Sequence, residues 1–481
     1  MTTIDNRTIL TKNKFQRKIK MIPTLFQNRN FNANLNGQLH SSRKKLKYYK
    51  MRTILKFFFS SIFCLSILSL KAQEPMVLSL DSAVNYAINH NKTLTNSRFA
   101  VDKSNQQIKE AISKGLPQID ASIDYTNFLG AEASLQISDA APPAIIEFNP
   151  TSNFKASASQ LIFNGNFIVG VQMAKLAKII TEQSYQKDEL NVKEQTIQAY
   201  YTILASGQIL NTLKENLKNA QMIYEQTSNM ANAGVIEQTE ANKLSVMVTS
   251  VDNAVNAAER NLELGYNLLR FNLGLDPNQQ ITLSTSLDDI ATIIQLVPVD
   301  TFNIENNMDY KLISMQGEIS NKSIDMAKAS YLPSLVAFYS YTEKIKKPVF
   351  DMTPKNVLGL TLSVPLISGG MRRSQLNQAK IDYDMSNNTK DLLVDQLSLQ
   401  EKQLRYNYDN FLEQYFSQKN NIKISKEVLD QMNRKFKQGV ASSLDLTSAN
   451  SDYLQSEIDL TSTILQLLNA ELALRKLNNN L

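Results

Sequence analysis

Side chains able to carry covalent or metal chemistry are scarce in this 481-residue chain, which has one Cys, two His and no Trp. Cys64 lies inside an apolar run, and beyond residue 72 there is no Cys and a single His, His90. Thiol chemistry, disulfides and Cys/His metal cages are therefore excluded from residues 73–481. No Gly-rich phosphate loop occurs, and His90, alone on an amphipathic segment, reads as a surface or packing residue. The expectation is a protein with no catalytic set, no metal and no cofactor. What remains is carboxylate chemistry at two matching places. Glu240 and Asp445 each stand six residues after the Gly of a Gly-Val pair, Gly234-Val235 and Gly439-Val440. Gly there suits a helix that must stop and reverse. A carboxylate in the first turn of the return helix favours that helix's dipole, and Ser442 with Asp445 has the spacing of a capping box.

Those two places are one feature met twice, because the chain repeats itself. Leu116-Pro117 opens a segment that recurs at Leu332-Pro333, an offset of 216. Leu161-Ile162 through Gly165 recurs at Leu366-Ile367 through Gly370, an offset of 205 that then holds through Tyr201 and Tyr406 to Arg270 and Arg475. The first copy thus carries eleven extra residues between Tyr125 and Leu161. The expected organisation is a first repeat over 73–273, a linker over 274–302 and a second repeat over 303–481. Each repeat reads helix, strand, loop, strand, very long helix, turn, long helix.

The strands are expected at about 118–128 and 153–163, then 334–342 and 356–366. Gln118 to Tyr125 alternates, with Ile119, Ala121, Ile123 and Tyr125 on one face; Leu358, Leu360, Leu362 and Val364 alternate likewise. Such alternation gives a sheet with one apolar and one polar face. Segments 129–151 and 343–355 read as hairpin loops. The helices are expected at about 166–232, 239–273, 370–437 and 443–478. Their apolar stripes are narrow, as at Leu210, Leu213, Leu217, Ala220 and Tyr224, the pattern of a coiled-coil seam rather than a globular core. Pro117 and Pro333 break the chain between helix and strand. Gly165, Gly369 and Gly370 are expected to turn it back from strand to helix.

The net charge of +6 is unevenly spread: residues 1–50 hold twelve Lys/Arg and one acid, residues 51–72 add three bases, and 73–481 carry −8. A basic stretch from Met51 to Lys56, the apolar run Phe57 to Leu70 and the small Ala72 have the order of a signal peptide over 51–72. A run of fourteen residues is too short to span a bilayer as a helix. Residues 1–50 read as a basic disordered leader or start-site extension, so the positive charge does not argue for nucleic acid. After residue 72 no run of 18 apolar residues occurs, so any membrane insertion is by strands. Four strands cannot close a barrel, whereas three chains supply twelve, an even number in the range of outer-membrane barrels.

The paired Leu-Pro junctions, Gly165 and Gly369-Gly370, the two Gly-Val turns with Glu240 and Asp445, and the opening Leu80-Asp81-Ser82-Ala83-Val84 with Ala87 and Asn91 resemble the TolC-type outer-membrane efflux proteins. The resemblance covers essentially all of 74–480. It implies a mainly α protein with membrane β, a homotrimer whose twelve-stranded outer-membrane β-barrel continues into a twelve-helix periplasmic α-barrel. It also implies an equatorial band from about 275–302 and the C-terminal residues, outer-membrane lipid around the barrel, and a periplasmic adaptor (membrane fusion) protein and inner-membrane pump as partners. The implied location is the outer membrane of a Gram-negative-type cell. The implied function is a passive exit duct for small molecules; a duct for type I protein secretion and an exported coiled-coil scaffold without a pore are the alternatives. Glu240 and Asp445 would then face the lumen at the periplasmic aperture, as six carboxylates in the trimer. This chain departs from some family members at Ala441, where they carry a base, and at Ser448, which is not acidic.

Overall fold

The structure, a computed structural model, describes residues 76–136, 142–287, 289, 290, 301–348 and 351–481. The expected leader and signal peptide, and residues 291–300 of the linker, lie outside the described residues. The chain runs β1 (Met76–Leu78), α1 (Leu80–His90), α2 (Lys92–Ser113), β2 (Gln118–Thr126), β3 (Glu132–Leu135), β4 (Ala144–Glu147), β5 (Thr151–Asn164), α3 (Gly165–Asn232) and α4 (Gln238–Leu273). It continues through β6 (Ile281–Leu283), a 3-10 turn (Ile304–Asn306), α5 (Met308–Ala329), β7 (Ser334–Lys346), β8 (Asn356–Ser363), α6 (Met371–Lys437) and α7 (Ser443–Leu477). With 68 and 67 residues, α3 and α6 are each about 100 Å long.

Three features of the loops and the linker differ from the sequence reading. The first is that β7 runs on to Lys346, into the segment 343–355, where Glu343, Lys344 and Lys346 still pair with β5. Within 129–151 the eleven-residue excess of the first copy builds its own hairpin, β3 on β4, so that segment is not a plain loop. The start of the linker supplies β6, which pairs in parallel with β1 and ties residues 76–78 to 281–283. Three-residue strands are too short to display a period of two.

The four main strands form one antiparallel sheet in the order β2-β5-β7-β8. Register puts Ile119 beside Ala158, Ala158 beside Tyr339, and Tyr339 beside Leu358, so one face is apolar across all four strands. The next residue along gives Asp120, Ser157, Ser340 and Val357, on the face that also carries Ser122, Lys155 and Thr342. The apolar face is bare: Ile119 is 78 % exposed and Leu360 72 %. Among the described residues no strand pairs with the outer edge of β2 or of β8.

Helix packing is pairwise and local. α3 packs along α4 and also meets α1, α2, α5 and α7, whereas α6 lies mainly on α5 and α7. The largest apolar cluster joins α1, α2, α3, α4 and α7 around Tyr200, Leu94, Leu269, Leu273, Leu468 and Leu472. Tyr200 is fully buried, and its hydroxyl donates to the Leu78 carbonyl at 3.1 Å, fixing β1 to α3.

The repeat extends to single hydrogen bonds. Asn91 and Asn307 each cap a helix, their Oδ1 accepting from the amides of Thr93 and Leu94, and of Asp309 and Tyr310. Each also donates through Nδ2 to the end of the return helix, Asn91 to Asn272 O at 2.7 Å and Asn307 to Leu477 O at 2.9 Å. Those return helices close on left-handed residues at matching places, Gly274 (φ +70) and Asn479 (φ +57).

Candidate functional site: the two helical tips

Each tip is built by a helix that ends on a left-handed glycine. Gly234 and Gly439 have φ of +74 and +73, and a side chain at either would meet only open space, so glycine is required for its backbone and not for room. The next amide closes the turn: Val235 donates to Met230 O and Val440 to Lys435 O, both at 2.9 Å. This is the Schellman arrangement, which satisfies carbonyls left over at a helix end. Val235 and Val440 point into solvent.

The carboxylates begin the return helices, and the two tips hold them differently. At the second tip Ser442 and Asp445 form a full capping box: the Asp445 amide donates to Ser442 Oγ at 3.2 Å, and the Ser442 amide donates to Asp445 Oδ2 at 3.1 Å. Ser442 Oγ also donates to Asp445 Oδ2 at 2.8 Å. At the first tip the residue in the cap position, Glu237, makes no side-chain cap. Glu240 instead accepts from Lys243 Nζ at 2.8 Å and from the hydroxyl of Ser443, on the other tip. So Glu240 and Asp445 are not bonded to each other; Ser443 brings the first carboxylate against the helix that carries the second.

Donors hold both carboxyls below the usual carboxylate range. For Glu240 the cause is the hydrogen bonds from Lys243 and Ser443, and for Asp445 those from the Ser442 hydroxyl and amide. Lys435, in the last turn of α6, adds positive potential at Asp445. The last turn of α6 is basic, with Arg434, Lys435 and Lys437. Ser443, Lys243 and these bases were absent from the sequence reading. Lys243, three residues after Glu240, had a sequence signal; Ser443 had none, because its partner lies 203 residues away.

The junction residues lie where helices meet the sheet. Pro117 and Pro333 each directly precede a strand, β2 and β7. Gly369 and Gly370 adopt φ of +58 and +88 in open space, a true reversal into α6. Gly165 is different, being the first residue of α3, capped by Asn164 Oδ1 on the Phe167 amide at 3.0 Å. A β-carbon at Gly165 would stand 2.8 Å from Leu332 Cδ1 and 3.1 Å from Ala329 Cβ. Its smallness lets α3 start against the end of α5.

Among the described residues no helix is long and apolar enough to cross a membrane. Nor is there a cluster of three or more His, Cys, Asp or Glu placed to hold a metal ion.

The TolC outer membrane proteins of Salmonella enteritidis and Escherichia coli are 22 % and 23 % identical over 305 and 309 residues, 61 % of this chain. This chain spans 60 % of the length of each. Solved structures share the fold across 83 % of the chain. CusC superposes with a TM-score of 0.68 at 13 % identity over 91 % of its own length. The Campylobacter jejuni CmeC outer membrane channel gives 0.63 at 17 % over 85 %, and the open state of the Neisseria gonorrhoeae MtrE outer membrane channel 0.65 at 15 % over 88 %. The model of the outer membrane efflux protein family matches residues 83–275 and 305–480, both repeats but not the segment between them. The chain belongs to the outer membrane efflux protein family.

Proposed function

We propose that three copies close their sheets into a twelve-stranded outer-membrane barrel, continued by their long helices into a periplasmic tunnel, and that the assembly is a passive exit duct. The observation that carries this is the sheet. It has a bare apolar face, a polar opposite face and two edges with which no strand among the described residues pairs. Lipid satisfies the first, a watery lumen the second, and closure on further copies the third. The duct receives small molecules from an inner-membrane pump through a periplasmic adaptor, which docks near the tips. There Glu240 and Asp445 of three copies form a ring of six carboxylates favouring cations. The equatorial band would come from about 275–302 with the C-terminal residues.

The test is direct. The protein is extracted from outer membranes only with detergent, has the native mass of three chains, and conducts ions in planar bilayers. A chain released by salt or buffer, or one with no conductance, would be the pore-free scaffold instead.

A further inference from the structure

The hairpin β3–β4, which only the first repeat shows among the described residues, has two unlike faces. Thr126 pairs with Thr151 and Glu132 with Glu147, so one strand advances six residues while the other advances four. The excess of two is even, and side chains keep their faces across it. It falls at Leu129 and Gly130, both left-handed, with φ of +54 and +79. Asn127 Oδ1 accepts from the Leu129 amide at 3.0 Å and holds the bend. After an interval at Ser152 and Pro150, the apolar face of Ile119, Ile123 and Tyr125 resumes as Phe148, Ile146 and Leu135. The Phe148 ring lies 5.6 Å from that of Phe128, and all four of these apolar side chains are exposed. The other face carries Glu132, Ser134 and Glu147 with Ile145. Glu132 and Glu147 stand directly opposite each other, an arrangement that repels unless water surrounds it. The second repeat ends its apolar face with charge instead. Past Tyr339 and Tyr341 stands Glu343, which accepts from the Tyr341 hydroxyl and from Lys355, both at 2.8 Å.

We infer that β3–β4 bends outward at Leu129-Gly130 and lies on the lipid leaflet around the barrel mouth. Phe128, Leu135, Ile146 and Phe148 then sit in the lipid interface, and Glu132 and Glu147 stay in water. This rests on the outer-membrane barrel proposed above and adds a second lipid contact to it. Chemistry selects the direction of the bend. Bent outward, a face continuous with the lipid-facing side of the sheet turns down onto the membrane. Bent inward, the same face would look out into water, and the two carboxylates would lie over the lumen. Standing upright, the hairpin would leave its apolar face in water altogether. Only the outward bend removes that face from water while keeping the opposed carboxylates hydrated.

The chain has no Trp, so a single introduced Trp reports alone. The full chain carrying Phe148→Trp, Ser134→Trp or Leu360→Trp is reconstituted in phosphatidylcholine vesicles, with and without bromine on the acyl chains. Leu360 lies on the bare apolar face of the sheet and reports on the barrel itself. Bromine should remove more than about half of the emission at 148 and 360, where rings meet lipid, and little at 134. Aqueous iodide on both sides of the membrane should give the opposite order. Ile146→Trp repeats the measurement if Phe148→Trp does not assemble. Bromine quenching at 360, with no more at 146 or 148 than at 134, overturns the inference and leaves the barrel. Protection of 148 from iodide without bromine quenching would seat the hairpin on protein, and overturns it as well. No bromine quenching at 360 overturns both the inference and the barrel.

Discussion

Ser443, the first residue of α7, donates a hydrogen bond to Glu240 in the first turn of α4, and so bonds the tip of one repeat to the tip of the other. The bond is absent from the sequence-level symmetry, since the residue equivalent to Ser443 is Gln238. It makes the two hairpin ends of one chain a single unit. Removing the hydroxyl with Ser443→Ala is expected to loosen that unit without unfolding the chain. Hydrogen exchange should quicken at residues 238–245 and 443–447 and stay unchanged around Tyr200. Equal exchange at the tips in both proteins would show that the bond ties nothing together.

The tip carboxyls set a pH dependence of definite sign. Their donors depress both pKa values in the folded chain, so the unfolded chain binds protons more readily. Their stabilisation is then complete at neutral pH and fades as pH falls below about 4, through the depressed values. Tip exchange and, in bilayers, cation preference are expected to be flat from about pH 6 to 8 and to change only on acidification. The double variant Glu240→Gln, Asp445→Asn should have lost that change and should show a reversal potential nearer to zero in a salt gradient. A variant as cation-selective as the parent would remove the carboxylates from the aperture.

Glycine acts by different means at the tips and at the sheet. Gly234→Ala and Gly439→Ala place a β-carbon in open space on a left-handed backbone, a cost of about 1–2 kcal/mol confined to the turn. Asn, which tolerates that conformation, should recover much of it. At Gly165 the backbone is ordinary helix and the obstacle is Leu332 and Ala329, so Asn should be worse than Ala there. Thermal unfolding of the Ala and Asn variants at 165, 234 and 439 would separate the cases, and the same Ala/Asn order at 165 and 234 would refute the distinction.

What could be read from the sequence was whatever is periodic. Ile119, Ala121, Ile123 and Tyr125 announce β2, and the offset of 205 announces both tips. The β3–β4 hairpin was invisible because Glu132–Leu135 and Ala144–Glu147 are four-residue strands, too short for a period. The stripe at Leu404, Tyr408, Phe411 and Tyr415 resembles that of α3, yet only Tyr415 is buried, because burial depends on neighbours that a period does not name. Asn91 and Asn307 left a sequence trace, the same residue at the older offset of 216, but their double role depends on where the return helices end.

That double role can be dissected. Asn91→Ala removes the cap and the bond to Asn272 O together, for an expected loss of about 1–2 kcal/mol. Asn91→Asp keeps a cap acceptor but replaces the donor with a charge facing a carbonyl. If the bond to α4 carries weight, Asp should be no better than Ala, although Asp is as good as Asn at a free helix end. The same ordering is expected at Asn307 against Leu477 O. Chemical denaturation in detergent reads the difference, and recovery by Asp at both sites would reduce these residues to simple caps.

Glu471 supplies the opposite pH sign within the same chain. It lies on α7, 4 % exposed, where burial raises its pKa against the opposing pull of Arg475, to which it is bonded. Burial and this carboxylate together push the Tyr201 phenol upward as well. Because the folded chain now holds the proton more firmly than the unfolded one, this group makes the protein less stable as pH rises from the ordinary glutamate value through the raised one. The tip carboxyls do the reverse, and at lower pH. Global unfolding should therefore be harder at pH 5 than at pH 8 to the extent that Glu471 controls it, while the tips, which open locally, stay indifferent over that interval. Glu471→Gln removes the titration and keeps the shape, so the difference between pH 5 and pH 8 should shrink. Arg475 then loses a charged partner but remains half-exposed to water, which limits the accompanying loss. Denaturant midpoints at the two pH values, for parent and variant, decide it; an undiminished difference in the variant would place the controlling group elsewhere.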